Sequence, residues 1–319
     1  MKRYLFSFIW LIISSNLLLA QQMPQFSQYL FNPIYINPAY AGYKGDTFIQ
    51  TYNRFQWLGL KGRPVNYGLA ADGAIERFNL GWGVHAGNET IGFQRNSTFQ
   101  TKLAYHLRIN RLSYVSFGTS IGFWNQKIDE DKVDPIQKDD PLLNTNFNSI
   151  FYPDLGFGIF YYHKYFHIGG AMYNILGEDF LRNPSFPYIE LKQSLNFSGG
   201  FRKEFLEGRA IEGSFLLLAD NKSPTRIDLN MNVFLNDRIG VGLGSRNQIN
   251  YFGIYSKLNS FNLLQFIIST EIRISDSLEF GYSFDYDFKT SFQQFNSHEL
   301  SIGYRIKNKN FSVLSPRYF

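Results

Sequence analysis

The residues able to do chemistry in this chain are few and scattered. Five histidines, His85, His106, His163, His167 and His298, stand at spacings that fix neither a nucleophile and base nor a metal pair. No catalytic residue, metal or cofactor is therefore expected. Asp129, Glu130, Asp131, Asp134, Asp139 and Asp140 crowd one stretch and offer oxygens to a divalent cation, but they match no calcium-loop spacing and read better as a solvated acidic loop. Gly240, Gly242 and Gly244 imitate a nucleotide-binding turn without the helix such a turn must open. Glycine in a sheet wall, leaving room for a bend or a close approach, is the expectation there. A further set, Arg202, Arg226, Asp228, Glu271, Arg273, Glu279, Asp285 and Asp287, interleaves with apolar neighbours. These charges would face an interior, either as selectivity elements or as a paired polar lining.

The elements that must position these groups are strands. Aromatics make up 18% of residues, with 33 Phe and 21 Tyr, and cysteine is absent, which excludes a disulfide scaffold and thiol chemistry. Strict alternation dominates: in 278–288 Leu278, Phe280, Tyr282, Phe284, Tyr286 and Phe288 share one face, with Glu279, Gly281, Ser283, Asp285 and Asp287 on the other. The same division recurs at 264–274, 227–235, 298–306, 99–108 and 65–72. A soluble sandwich also alternates, but an apolar, aromatic face about ten residues long is what a lipid-facing barrel wall requires. The expected fold class is therefore all-β: a transmembrane antiparallel β-barrel of about 14 strands. The expected strands are 45–57, 63–76, 78–89, 96–109, 112–127, 150–163, 165–175, 189–204, 208–219, 225–235, 238–246, 263–274, 277–288 and 297–307. Tight connections alternate with longer ones, including 90–95, which places both termini on the periplasmic side of an outer membrane.

Residues 1–20, with Lys2 and Arg3 ahead of an apolar run ending at Ala20, read as a secretory signal peptide. Without Lys2 and Arg3, 29 basic residues face 26 acidic ones, net +3, so charge indicates no nucleic-acid partner. Residues 21–44 then form a strap before the barrel at 45–307, and 308–319 form a periplasmic tail. Pro24, Pro33 and Pro38 disfavour a helix in the strap, which reads as kinked and extended with aromatic anchors Phe26, Tyr29, Phe31, Tyr35 and Tyr40. A barrel of this size is either open or plugged. The strap either fills the lumen, burying its aromatics, or lies across the periplasmic mouth as a docking surface; burial favours the plug.

Particular residues carry a resemblance. Pro24, Gln25, Phe26, Ser27, Gln28 and Tyr29, then Phe31, Asn32 and Pro33, then Asn37, Pro38, Ala39, Tyr40, Ala41 and Gly42 resemble the opening signature of the PorP/SprF family of the Bacteroidetes type IX secretion and gliding machinery. Gln56-Trp57-Leu58-Gly59 resembles the family's first strand and loop, Ala71-Asp72-Gly73 its second strand, Gly281-Tyr282-Ser283 its penultimate strand and His298-Glu299-Leu300 its last. The stretch 247–262 is longer than the family pattern, and terminal Phe319 does not close the last strand. The resemblance implies a non-enzymatic outer-membrane component of type IX secretion, in contact with lipid. Its implied partners are a large secreted adhesin with a type-B C-terminal domain and periplasmic ring components. A passive porin or hydrophobic-solute transporter is the alternative from another class, and a lipid-modifying barrel enzyme is a third.

Overall fold

The structure is a computed structural model describing residues 26–29, 31, 33–129, 149–176, 193–206, 208–220, 224–249, 262–288 and 296–308. Residues 1–25, which include the expected signal peptide with Pro24 and Gln25, lie outside the described residues, as do Asn32, the acidic stretch from Glu130 to Asp140 and the residues from Lys309 onward.

Fourteen antiparallel strands form a closed barrel. They are β1 (Thr47–Phe55), β2 (Val65–Ile75), β3 (Leu80–Ile91), β4 (Gln94–Arg108), β5 (Ser113–Ile128), β6 (Ser149–His163) and β7 (Phe166–Tyr173), followed by β8 (Ser194–Leu206), β9 (Arg209–Asp220), β10 (Thr225–Phe234), β11 (Ile239–Ile249), β12 (Asn262–Arg273), β13 (Leu278–Asp287) and β14 (Ser297–Ile306). Each strand pairs with its sequence neighbours, and β1 closes on β14 from Thr47 opposite Ile306 to Phe55 opposite His298. No edge is left unpaired, which is the condition for a sheet in lipid.

The alternation in the sequence becomes an inverted burial pattern. On β2, Tyr67 and Leu69 are 49% and 46% exposed, while Asn66 and Asp72 are 2% exposed. Apolar side chains therefore face outward and polar ones inward. Phe99, Phe123 and Phe151 stack in a row across the outside of β4 to β6, with ring centroids 5.7 and 4.8 Å apart. Tyr165, Phe166 and Phe205 are exposed toward the opposite rim, so the apolar band carries aromatics at both edges, as membrane interfaces favour.

Both ends of the barrel chain, Thr47 and Ile306, lie at the rim of short turns 76–79, 109–112, 164–165, 207–208, 235–238 and 274–277. The other rim carries the connections 56–64, 129–148, 174–193, 250–261 and 288–296. One expectation fails there: the connection at 90–95 is not long but a two-residue turn, Gly92 and Phe93, between Ile91 and Gln94. Gly92 takes φ +59°, the left-handed geometry that lets a two-residue hairpin follow the strand twist. Strand β11 also runs on to Ile249, three residues past its expected end.

Candidate functional site: the interior segment and its charged clamp

The segment before β1 passes through the barrel from one rim to the other. It is not extended as its prolines suggest, because Pro33 and Pro38 each open a 3₁₀ turn, Pro33–Tyr35 and Pro38–Tyr40. Proline's fixed φ suits the first position of a helical turn, where no N–H is needed. Asn37 caps the second turn, its Oδ1 accepting the Ala39 N–H at 2.9 Å.

Because the segment makes no ladder, its backbone groups need partners from the wall. Lys102 of β4 donates to the Ile34 carbonyl at 2.5 Å, and Asn196 of β8 donates to that of Ile36 at 2.9 Å. Asn37 Nδ2 donates to the carbonyls of Ile159 and Gly170 at 3.0 and 3.2 Å. Near the short-turn rim, His106 Nε2 lies 2.9 Å from the Ala41 carbonyl oxygen, and the Gly42 N–H donates to Asp72 at 3.0 Å. The wall is also cut to fit: a Cβ on Gly81, Gly118 or Gly158 would stand 1.8 Å from Ala41 O, 2.3 Å from Ala39 N or 2.1 Å from Asn37 Oδ1. Only glycine admits the segment at those points.

The segment's aromatics pack against inward-facing rings. Phe26 stacks on Tyr35 at 5.3 Å and meets Tyr52 edge-on at 4.6 Å; Tyr40 lies 3.9 Å from Phe160, with Tyr43 alongside at 5.4 Å. Each such ring contributes roughly 1.5–3 kcal/mol by leaving water. Burial raises the hydroxyl pKa of Tyr29, Tyr35 and Tyr40 above the ordinary 10.0 and lowers that of the Lys44 ammonium below 10.5. A cavity of about 50 Å³, lined in part by Tyr35, Tyr52, His85 and Trp124, lies between the segment and the wall.

At the long-connection rim a charged cluster grips Phe26, Ser27 and Gln28. Arg54 pairs with Asp285 at 2.7 Å and Glu299 at 3.0 Å, and Arg246 with Asp228 at 3.1 Å and Asp285 at 3.4 Å. Arg226 joins through Asp228 at 3.3 Å. Glu299 accepts the N–H groups of Ser27 and Gln28, Asp285 accepts the Ser27 hydroxyl at 2.7 Å, and Arg246 donates to the Phe26 carbonyl at 3.1 Å. Asp287, at the edge of this cluster, accepts from the Trp57 indole at 3.2 Å.

The eight charges singled out in the sequence thus divide into two tiers. Arg226, Asp228, Asp285 and Asp287 lie with the clamp, whereas Arg202, Arg273, Glu271 and Glu279 sit nearer the short turns. There Arg202 pairs with Glu212 at 3.3 Å, Arg273 with Glu271 at 3.6 Å and Arg305 with Glu279 at 3.3 Å. Of the strap residues, Phe26, Ser27, Gln28, Tyr29, Phe31, Pro33, Asn37, Pro38, Ala39, Tyr40 and Gly42 are placed inside the barrel; Pro24, Gln25 and Asn32 are outside the described residues. Sequence reasoning missed Arg54, Arg246 and Lys102, although each occupies an inward position of an alternating strand. It also missed the wall glycines facing the segment, which no local pattern marks.

Four histidines have partners other than a catalytic Ser or Asp. His85, His106 and His298 meet the hydroxyls of Tyr52, Tyr162 and Tyr282, and His163 Nδ1 accepts the Tyr165 N–H. No metal-holding group of three His, Asp or Glu side chains occurs among the described residues.

The barrel resembles solved outer-membrane structures. The Pseudomonas putida toluene transporter TodX is 8% identical, with a TM-score of 0.50, over 91% of this chain and 95% of that one. A TodX deltaS2S3 mutant, titled a monoaromatic hydrocarbon channel, is 8% identical with a TM-score of 0.52, covering 88% of this chain and 94% of that one. At such identity the likeness speaks for the fold alone. A comparison with curated proteins found no match. A family model described as "Type IX secretion system membrane protein PorP/SprF" matches residues 18–304. That span takes in the interior segment, its clamp and all but the end of the last strand, and the chain belongs to the PorP/SprF family of type IX secretion system membrane proteins.

Proposed function

We propose that this protein is a non-catalytic outer-membrane component of the type IX machinery that supports export or surface attachment of large adhesins bearing a type-B C-terminal domain. Periplasmic ring components of the motor are its partners on the short-turn side, and the long connections face outside, as outer-membrane barrels arrange them. The observation that carries the reading is the occupied interior. The described residues 26–29, 31 and 33–46 run through the barrel, with backbone groups of Ser27, Ile34, Ile36 and Gly42 bonded to the wall, so the segment acts as a plug and the barrel works as a scaffold rather than a conduit. The test is affinity purification of the intact protein from outer membranes, with identification of the chains that come with it. Recovery of a large secreted adhesin or a ring protein supports the proposal. Their absence, together with open-pore conductance, would favour a passive porin or solute transporter instead.

A further inference from the structure

The clamp at the long-connection rim holds Phe26–Gln28 through three backbone hydrogen bonds and through the Ser27 hydroxyl and the Gln28 carboxamide, while the Phe26 ring packs on Tyr35 and Tyr52. Arg246 donates to a carbonyl, and Glu299 accepts two successive N–H groups, at 2.8 and 3.0 Å. The hydroxyl of Ser27 bridges Asp285 and Arg54 at 2.7 and 3.0 Å, and the Gln28 carboxamide donates to the Glu299 carbonyl at 2.8 Å. Phe26–Gln28 itself carries no charge. Arg54, Arg226 and Arg246 face Asp228, Asp285 and Glu299, three formal charges of each sign, already joined to one another. Departure of the head would therefore leave no unpaired buried ion, the condition that otherwise makes opening such a site costly. Asp285 also keeps Oδ1 buried without a hydrogen bond, a spare acceptor in the site.

The head and the rest of the segment are held differently. The turns Pro33–Tyr35 and Pro38–Tyr40 sit between the rims against Gly83 and Gly118, bonded to single wall side chains and carbonyls, whereas the head, with Gly281 against its Gln28 carboxamide, is held by the paired ions of the clamp at the rim opposite the point where the chain enters β1. We infer that the cluster is a receptor for an extended peptide. Its resident occupant is the chain's own Phe26–Gln28, exchangeable for a segment of another polypeptide that offers a carbonyl, then two successive N–H groups with a hydroxyl on the first. This site stands independently of which cargo the protein serves.

Hydrogen–deuterium exchange on the full chain, titrated with a synthetic peptide of residues 23–31, tests it. The Ser27 and Gln28 amides should lose protection as peptide is added, while those of Ala39 to Gly42 keep theirs. A peptide carrying Ser27→Ala and Gln28→Pro, which removes the hydroxyl and one N–H, should be at least about tenfold weaker. Ser27→Ala in the full chain leaves the wall intact and should lower the peptide concentration needed. Unchanged protection at saturating peptide would overturn the inference. So would loss of protection in head and turns together, or equal potency of the altered peptide.

Discussion

Glu299, near the start of β14, accepts the backbone N–H of Ser27 at 2.8 Å across 272 positions of sequence. The last strand of the barrel therefore holds the segment that precedes the first, and Arg54 of β1 ties the same carboxylate to the closing seam at 3.0 Å. Closure of the barrel and seating of the segment share one set of side chains.

Glu299→Ala should be the most damaging single change in the clamp. It leaves the Ser27 and Gln28 N–H groups without their acceptor and removes one carboxylate from a buried cluster, an effect of about 3–5 kcal/mol. Chemical unfolding in detergent should show the loss, with Glu299→Gln less affected because an amide oxygen can still accept.

Two wall glycines should behave oppositely. Gly118→Ala would set a Cβ 2.3 Å from Ala39 N, whereas at Gly170 the nearest atoms are 3.8 Å away. Proteolysis of the folded barrel should release the interior segment far more readily in Gly118→Ala than in wild type. Gly170→Ala should match wild type.

Asn37 acts as both cap and tether, accepting from Ala39 and donating to Ile159 and Gly170. Asn37→Ala should cost about 1–2 kcal/mol and raise amide exchange at Ala39 and Tyr40 while leaving the β-ladder protected.

Alkaline pH should loosen the segment. Tyr29, Tyr35 and Tyr40 have hydroxyl pKa values raised by burial above 10.0, so the seated state keeps protons that the released state gives up. Their stabilising contribution is complete below pH 10 and is lost as pH rises beyond it. Lys44, lowered from 10.5 by burial, acts in the opposite sense: its penalty fades as pH climbs toward 10.5. Tyrosinate absorbance should accordingly appear cooperatively above pH 10, together with amide exchange of the segment, and Lys44→Met should flatten only the slope below that point.

Period-two patterning carried the barrel into view because lipid demands it of every strand. The face of Leu278 to Phe288 that reads apolar is the outer one, and Asp285 and Asp287 point in. What stayed hidden depends on contacts between distant parts of the chain. The three prolines announce a break from regular structure, but whether Pro33 and Pro38 start turns or extended chain is decided by the wall that receives them. Gly118 looks like any sheet glycine until Ala39 lies against it. Arg54 reads as one more inward charge, and only closure of β1 on β14 brings it to Glu299 and Ser27. The turn at Gly92 is shorter than the sequence around it suggests because its length depends on a single left-handed residue.

Closure of the lumen by the interior segment is tested directly by planar-bilayer conductance. The intact protein should be nearly silent, and a variant lacking residues 23–40 should conduct while still migrating as a folded barrel. Open-pore conductance in the intact protein, unchanged by the deletion, would contradict it.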